Sequence, residues 1–568
     1  MVRKLLSLLV LTPLLGIAPA WALAPPNSND QPGDVAAADP AQGLLLHLPL
    51  QGDARDASPA QRPVKAQGAV AWDAPGPQRG KAARFDGRDT ALEIASGDVP
   101  DLGRGAFSLS VWVDTDAAMK DVPGDIISQY DPAKRRGFHL TLKTNAGVTT
   151  TQANFRQLQF GIDDDRLQPW GDCGQPGGVL AFALTAYNGE LFAGTCEPGR
   201  DQAGHVYRYA GGTRWTDCGS PAPCNAVTAL AEFEGKLYAG TGKYRLAGSA
   251  LAESDNTHRG GQVFRYDADG RWIDCGQLDG VEAIGGMVVY DGRLYAASLY
   301  RPAGFFRYDG GSKWTALPTP GARVEALGVY NGYLYATSYD GGHVYRFDGS
   351  AWTDCGQLGA AEENTQTYSF AVHRGRLFVG TWRSGRVYHF EDLDRWTDVG
   401  RLGEELEVMG MLVHNGRLLA GTLPLAEVYA YQGESQWQRL TQLDHTPEVR
   451  YRRAWTMAEH DGRVFCSTLP SGRIYSTQAG TSAMAAGAFP AGWHHVAAVR
   501  SDALRLYVDG HLVAESAQLE PGPYNLTSEA PLRIGAGAND HFLGRLSDVR
   551  LYGRALSAAE IAALAATR

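Results

Sequence analysis

Between about residues 170 and 480, short runs of alternating apolar and polar residues are separated by turns of one recurring kind. Alternation of period two predicts half-buried strands, and a residue-Gly pair between two such runs predicts a tight hairpin. Asn188-Gly189-Glu-Leu-Phe-Ala-Gly-Thr195 has this form, and its counterparts begin at Glu234, Asp291, Asn331, Arg374, Asn415 and Asp461, which makes seven hairpins. Between them lies a second kind of run, a Val-Tyr-Arg-Tyr-type strand followed by Asp-Gly and a tryptophan strand, as in Gly342-His-Val-Tyr-Arg-Phe-Asp-Gly-Ser-Ala-Trp352. The tryptophans of these runs are Trp170, Trp215, Trp272, Trp314, Trp352, Trp396 and Trp437, again seven.

The two series are out of phase. Trp170 precedes the first hairpin, and the last hairpin, which ends in Gly472-Arg-Ile-Tyr-Ser476, has no tryptophan strand after it. Four short strands per unit bury both faces only against neighbouring units, so a repeat of about forty to sixty residues predicts a radial array of blades. The offset then means that the Trp170 strand completes a seventh blade begun near Trp455, closing the array into a seven-bladed β-propeller. An open array of β-repeats requires no such offset.

On either side of the repeats the alternation continues with different punctuation. Before them stand Leu44-Leu-Leu-His-Leu-Pro-Leu50, Ala82-Ala-Arg-Phe-Asp-Gly87, Phe107-Ser-Leu-Ser-Val-Trp-Val113 and Gly137-Phe-His-Leu-Thr-Leu142. After them stand Gly492-Trp-His-His-Val-Ala-Ala-Val-Arg500, Leu504-Arg-Leu-Tyr-Val-Asp-Gly510 and Phe542-Leu-Gly-Arg-Leu-Ser-Asp-Val-Arg-Leu-Tyr552. Taken together in this order, the two sets resemble one laminin-G-like, concanavalin A-like jelly roll. That resemblance covers roughly two hundred residues, with the early motifs of the family before the repeats and the late ones after them. It implies an all-β protein, a seven-bladed β-propeller inserted into a concanavalin A-like/laminin-G-like β-sandwich. The repeats themselves resemble kelch-type propellers, with Gly-Thr or Ala-Ser where kelch repeats carry Gly-Gly.

The expected division is residues 1–24 as a signal peptide, 25–42 as a flexible linker, 43–166 as the first part of the jelly roll, 167–480 as the propeller and 481–568 as the second part of the jelly roll. The signal peptide rests on Arg3 and Lys4, an apolar run too short to span a bilayer comfortably, and Ala22-Leu23-Ala24 as a cleavage site. It predicts a secreted or periplasmic protein with no membrane span. Near the C-terminus, Ser557-Ala-Ala-Glu560 is a capping box that opens a short helix through Ala566.

A formal net charge of -10 excludes the clustered cation excess that binding to a phosphate backbone needs, so nucleic acid is not an expected partner. Seven cysteines in an exported chain can oxidise, and Cys218 and Cys224, flanking a short Gly-Ser-Pro-Ala-Pro loop, are the expected disulfide. Cys173, Cys218, Cys275 and Cys355 follow their tryptophans at one offset and are first of all a feature of the repeat. No cofactor is expected, and structural calcium has only Asp86, Asp89 and Asp548 as candidate ligands, all in turns where Asp is common anyway.

Propeller ligands sit at the mouth formed by the loops between the second and third strands and by the connections between blades. Here those loops carry Tyr244-Arg245, Tyr300-Arg301, Tyr339-Asp340 and Trp382-Arg383 at matching positions, and the last connection carries His445, Arg450, Tyr451, Arg452 and Arg453. Aromatic faces stack on sugars and guanidinium forks pair with carboxylate or sulfate. Tyr244, Arg245, Tyr300, Arg301, Tyr339, Trp382, Arg383 and Arg452 are therefore the candidate ligand-binding residues. Tyr and Trp are equally at home in a propeller core, and Arg beside Tyr can be no more than a solvent-facing stack. The expected function is recognition of a carbohydrate, a polysaccharide, at the propeller mouth. The rivals are a polysaccharide lyase or glycoside hydrolase at the same mouth, with His258, Tyr244 and Arg245 as candidate catalytic groups, and an extracellular scaffold for protein partners.

Overall fold

The computed structural model describes residues 41–77, 80–147, 152–268, 270–519 and 524–566. The signal peptide and most of the linker expected before residue 43 lie outside the described residues. No helix among those described is long and apolar enough to cross a membrane.

Two sheets form a sandwich, and each draws strands from both ends of the chain. In the first, Phe107–Thr115 is flanked by Gly492–Arg500 on one side and Leu543–Tyr552 on the other, with Trp112 opposite His495. In the second, Gln152–Leu167 lies between Arg136–Ala146 and Ala479–Ala488. Phe85, Phe107, Phe138, Phe160, Leu140 and Val496 fill the space between them, all with no exposure to solvent. The helix Ala558–Ala566 is capped as its sequence predicts, Ser557 Oγ accepting from Glu560 N at 3.3 Å and Glu560 accepting from Ser557 N at 2.8 Å. Ile561 and Leu564 lay it over Tyr552 and Val499 on the sandwich's outer face.

Between Leu167 and Ala479, which are paired across the second sheet, the chain leaves the sandwich and builds seven four-stranded blades. Numbered in chain order, they begin at the inner strands Leu180–Tyr187, Ala226–Phe233, Ile284–Tyr290, Val324–Tyr330, Gln366–His373, Glu407–His414 and Arg453–His460. In every inner hairpin both turn residues have positive φ, from Asn188 at 50° and Gly189 at 75° to Asp461 at 47° and Gly462 at 70°. That is the backbone the residue-Gly pairs predict, because its twist matches the strands it joins. Blade 7 has only three strands of its own. Gly171–Asp172 supplies the fourth, pairing with Ser476 and Tyr475, so the ring closes where the phase offset places the joint.

The repeated tryptophan is a latch between blades. Trp215 Nε1 donates to Cys173 O at 2.8 Å, Trp272 to Cys218 O, Trp314 to Cys275 O, Trp352 to Pro318 O, Trp396 to Cys355 O and Trp437 to Val399 O, each outer strand gripping the one before it. Trp170 is the exception, since its buried indole nitrogen has no partner. The latch also explains the cysteines. Their carbonyls serve the next blade while their thiols sink into the gaps between blades.

The expected Cys218–Cys224 disulfide is not formed, and all seven cysteines are buried free thiols. Each belongs to a different apolar cluster, Cys218 with Phe192 and Val227 and Cys224 with Ala222 and Phe264, so the blade packing itself keeps the sulfurs apart. Proximity in the chain across a five-residue loop does not bring these two side chains into one cluster.

The sandwich plugs the end of the propeller where the inner hairpins turn. The hairpin made by Arg136–Ala146 and Gln152–Leu167 reaches into the central channel: Lys143 Nζ donates to both oxygens of Glu459 at 2.8 and 3.0 Å and to Val413 O, and Gln152 bonds to Thr185, Glu232 and Val289. A void of only about 40 Å³ remains between it and blades 3 to 6. Around the hairpin, turn amides cap sandwich acceptors, as Gly332 N does Lys120 O, Gly375 N the Asp540 carboxylate and Gly416 N the Asn539 side chain.

Glu459 is fully buried, and burial works against its charge, but Lys143 and His414 more than offset this and hold its carboxyl at about 2. Lys143→Met should therefore destabilise the protein by about 3–5 kcal/mol, since it strands a buried carboxylate, and Glu459→Leu added to it should restore most of the loss. Denaturant titration of the two variants checks this. Asp121 and Glu232, at the same interface, are pushed up to about 7 by burial. Their contribution is complete below the ordinary carboxylate range and is lost as pH rises through 7. The melting temperature should fall between pH 5 and pH 8, and Asp121→Asn with Glu232→Gln should flatten the fall. For the latch, Trp272→Phe should cost about 1–3 kcal/mol by leaving the Cys218 carbonyl unpaired, whereas Trp170→Phe should cost much less; equilibrium unfolding distinguishes the two.

Candidate functional site

With one end of the channel plugged, the open end is the face where inner strands begin and second strands finish. Side chains at the first and third residues of the inner strands meet there. Phe182, Tyr368 and Trp455 come from those positions and Tyr244 from a loop, and together they seal the channel below the mouth. Trp455 is 1% exposed, donates through Nε1 to Phe182 O at 2.9 Å, and meets Phe182 edge-on with centroids 5.0 Å apart.

Above this layer the candidate residues divide into two groups. On blades 2 to 4 they are engaged with the protein. Tyr244 turns into the sealing layer, its hydroxyl 2.8 Å from Ser249 Oγ. Arg245 stacks over Tyr300 at 4.3 Å and pairs with Glu282 at 2.6 Å. Asp340 bridges Arg301 at 2.9 Å and Arg323 at 3.1 Å, while Arg323 covers Tyr339, whose hydroxyl bonds to that of Tyr368. The carboxyl of Asp340 is partly buried, which alone would raise it, yet the Arg323 amide and then the guanidinium groups of Arg323 and Arg301 hold it below its usual value.

On blades 5 and 6 the same positions line a groove of about 650 Å³ formed by Glu362, Glu363, Trp382, Arg383, Arg401 and Tyr451 with their neighbours. Trp382 and Tyr451 stand edge to face, 6.0 Å apart, and Arg450 lies over the Tyr451 ring at 4.7 Å. Arg386 pairs with Asp398 and Arg401 bonds to Glu405 O. Arg383 and Arg450 are exposed and make no ion pair among the described residues. Beyond the groove, Arg452 is spent on architecture, donating to Thr446 O and, through its amide, to Pro424 O.

His258 is exposed on the long loop of blade 2, which Glu253 and Asn256 tie down through backbone bonds. The elimination set of His258, Tyr244 and Arg245 is not gathered around one space, because Tyr244 faces the channel and Arg245 faces Glu282. The calcium candidates are not gathered either. Asp86 accepts from the amides of Arg88, Asp89 and Thr90, Asp548 pairs with His47 and Arg550, and no cluster of three or more metal-type ligands occurs among the described residues.

Of two groups at the inner strand starts, reading loops alone missed Glu407 and placed Arg453 only among the residues of the last connection. Arg453 and Glu407 open neighbouring inner strands and are 5% and 3% exposed. The guanidinium of Arg453 lies 5.6 Å from the Tyr451 ring and 5.8 Å from that of Trp455, directly inside the groove wall. Glu407 is pushed up to about 7 by burial, which Arg453 only partly offsets. The i, i+2 pairs Gln366/Tyr368, Glu407/Met409 and Arg453/Trp455 carry the signal, since alternate residues of an inner strand share the channel face. On the sandwich, a second cleft of about 900 Å³ lies at the ends of Ala71–Pro75, Lys81–Asp86 and Phe107–Thr115, where Arg545 is already paired with Asp114.

A family described as the concanavalin A-like lectin/glucanases superfamily matches residues 436–562, which take in the returning half of the sandwich and the end of the propeller. No curated protein sequence matches the chain. Among solved structures, a streptogramin B lyase is 10% identical with a TM-score of 0.42, over 55% of this chain and 97% of the other. Virginiamycin B lyase from Staphylococcus aureus is 8% identical with a TM-score of 0.41, over 55% and 99%. The extracellular domain of a putative hybrid two-component system from B. thetaiotaomicron is 13% identical with a TM-score of 0.40, over 55% and 39%. The chain thus combines a concanavalin A-like domain with a propeller-like one in a nearly all-β fold.

Proposed function

We propose that this protein is an exported receptor for an acidic polysaccharide, which it binds in the groove between blades 5 and 6. The observation that carries this reading is the state of the arginines. Those of blades 2 to 4 are neutralised by Glu282 and Asp340, whereas Arg383 and Arg450 keep their charge available beside the aromatic pair Trp382 and Tyr451. A sugar stacks on an aromatic face while its carboxylate takes a guanidinium fork. The net negative charge of the whole chain does not oppose this at physiological salt, where fields fade beyond roughly 8 Å. The likeness of residues 436–562 to lectins and glucanases supports a carbohydrate ligand in general terms.

Calorimetric titration with oligogalacturonate and with a neutral oligosaccharide of equal length tests the proposal. Arg383→Ala and Arg450→Ala should each weaken uronate binding by about 1–3 kcal/mol and make it less sensitive to salt. Trp382→Ala should weaken both ligands and leave the salt response unchanged. Equal affinity of parent and variants for both probes would remove the groove from consideration. Growth of ultraviolet absorbance from unsaturated uronates would replace a receptor with a lyase, and release of reducing ends would replace it with a hydrolase.

A further inference from the structure

Arg453 is a charged group that the protein buries and then leaves incompletely bonded. Its Nε and Nη1 have no hydrogen-bond partner, although a buried guanidinium ordinarily fills its donors. Its surroundings keep it charged all the same. Burial opposes the charge, but Tyr244, Glu407, Tyr368 and Tyr339 ring the guanidinium and shift its pKa upward. The Glu407 carboxylate, which favours the charge, forms no ion pair with it among the described residues, and burial pushes that carboxyl up to about 7. The half-exposed Tyr451 ring forms part of the groove wall and lies 5.6 Å from the Arg453 guanidinium, which sits behind it and does not itself line the groove.

We infer that Arg453 is the specificity-determining anchor of the groove, taking the carboxylate of one uronic acid residue on its unused donors once the Tyr451 ring turns aside, with the Glu407 carboxyl lending a further hydrogen bond to the same carboxylate. This rests on the groove being the ligand site. The surface arginines then attract an acidic chain, and the buried pair decides whether it is held. A neutral sugar leaves the donors unfilled, which is the source of discrimination, since a site built for a polar group rejects an analogue that lacks it. Because ionised Glu407 repels the ligand and competes for Arg453, binding falls as pH rises through 7. The other charged groups facing the pair are few. Glu405, two residues away in the chain and also pushed up to about 7, is directed to Glu427 and Leu425 N rather than to Arg453.

The test is titration of the full-length protein with oligogalacturonate and with a neutral oligosaccharide at pH 6 and pH 8. Arg453→Gln should lower uronate affinity by about ten-fold or more, with neutral-sugar affinity unchanged, and Arg453→Lys should fall between, because it restores charge without the fork. The parent should bind the uronate several-fold more tightly at pH 6, and Glu407→Gln, which keeps a donor but cannot ionise, should bind equally at both. Should Arg453→Gln fail to fold, judged by its circular dichroism melt, Glu407→Gln decides alone: a pH response that survives in it overturns the anchor. Unchanged uronate binding by folded Arg453→Gln, alongside loss in Arg383→Ala and Arg450→Ala, overturns the anchor and leaves the groove intact. No loss in any of the four variants overturns both.

Discussion

A ring of sheets has to leave no open edge, and this protein meets that requirement where its two domains join. Gln168 N bonds to Gln478 O and Leu167 lies opposite Ala479, so the outgoing and returning segments run side by side. A few residues on, the same two segments become Gly171–Asp172 and Ile474–Thr477 and close blade 7. One antiparallel pairing therefore continues from the sandwich into the propeller.

The same junction settles which face can work. Long strands projecting from the sandwich carry Lys143 and Gln152 into the channel, where Glu459 meets the lysine and takes a second bond from the His414 ring. The hairpin turns of the blades, which in an isolated propeller would be solvent-facing, spend their amides on Lys120, Asn539 and Asp540. That end is consumed by architecture. The opposite mouth stays open, and its charges are uneven: acids of blades 2 to 4 pair with the arginines there, whereas among the described residues no carboxylate pairs with Arg383 or Arg450, although Glu362 and Glu363 line the same groove.

Much of this was open to view in the residues. Seven residue-Gly turns and seven tryptophans out of phase determine a closed ring, because a tight turn of positive φ and an alternating strand are local properties that few residues fix. The split motifs around them determine an inserted sandwich, and Ser557 with Glu560 determines the terminal helix. The pairing of Trp382 with Arg383 in one loop was likewise legible, since neighbours in a tight loop share a surface.

What depended on the tertiary structure is which groups meet across blades. Sequence places Arg245, Arg301 and Arg383 as equivalents, but Glu282 and Asp340 arrive from other loops, and a charge is decided by its partner in space. Spacing suggested a bond between Cys218 and Cys224, while packing assigns each thiol to its own cluster. Arg452 and Arg453 are adjacent in the chain, yet strand alternation sends one to brace a loop and buries the other beside Glu407. Repetition and turns are written in single short segments; burial, charge compensation and the choice between brace and binding group arise only when seven such segments converge on one axis.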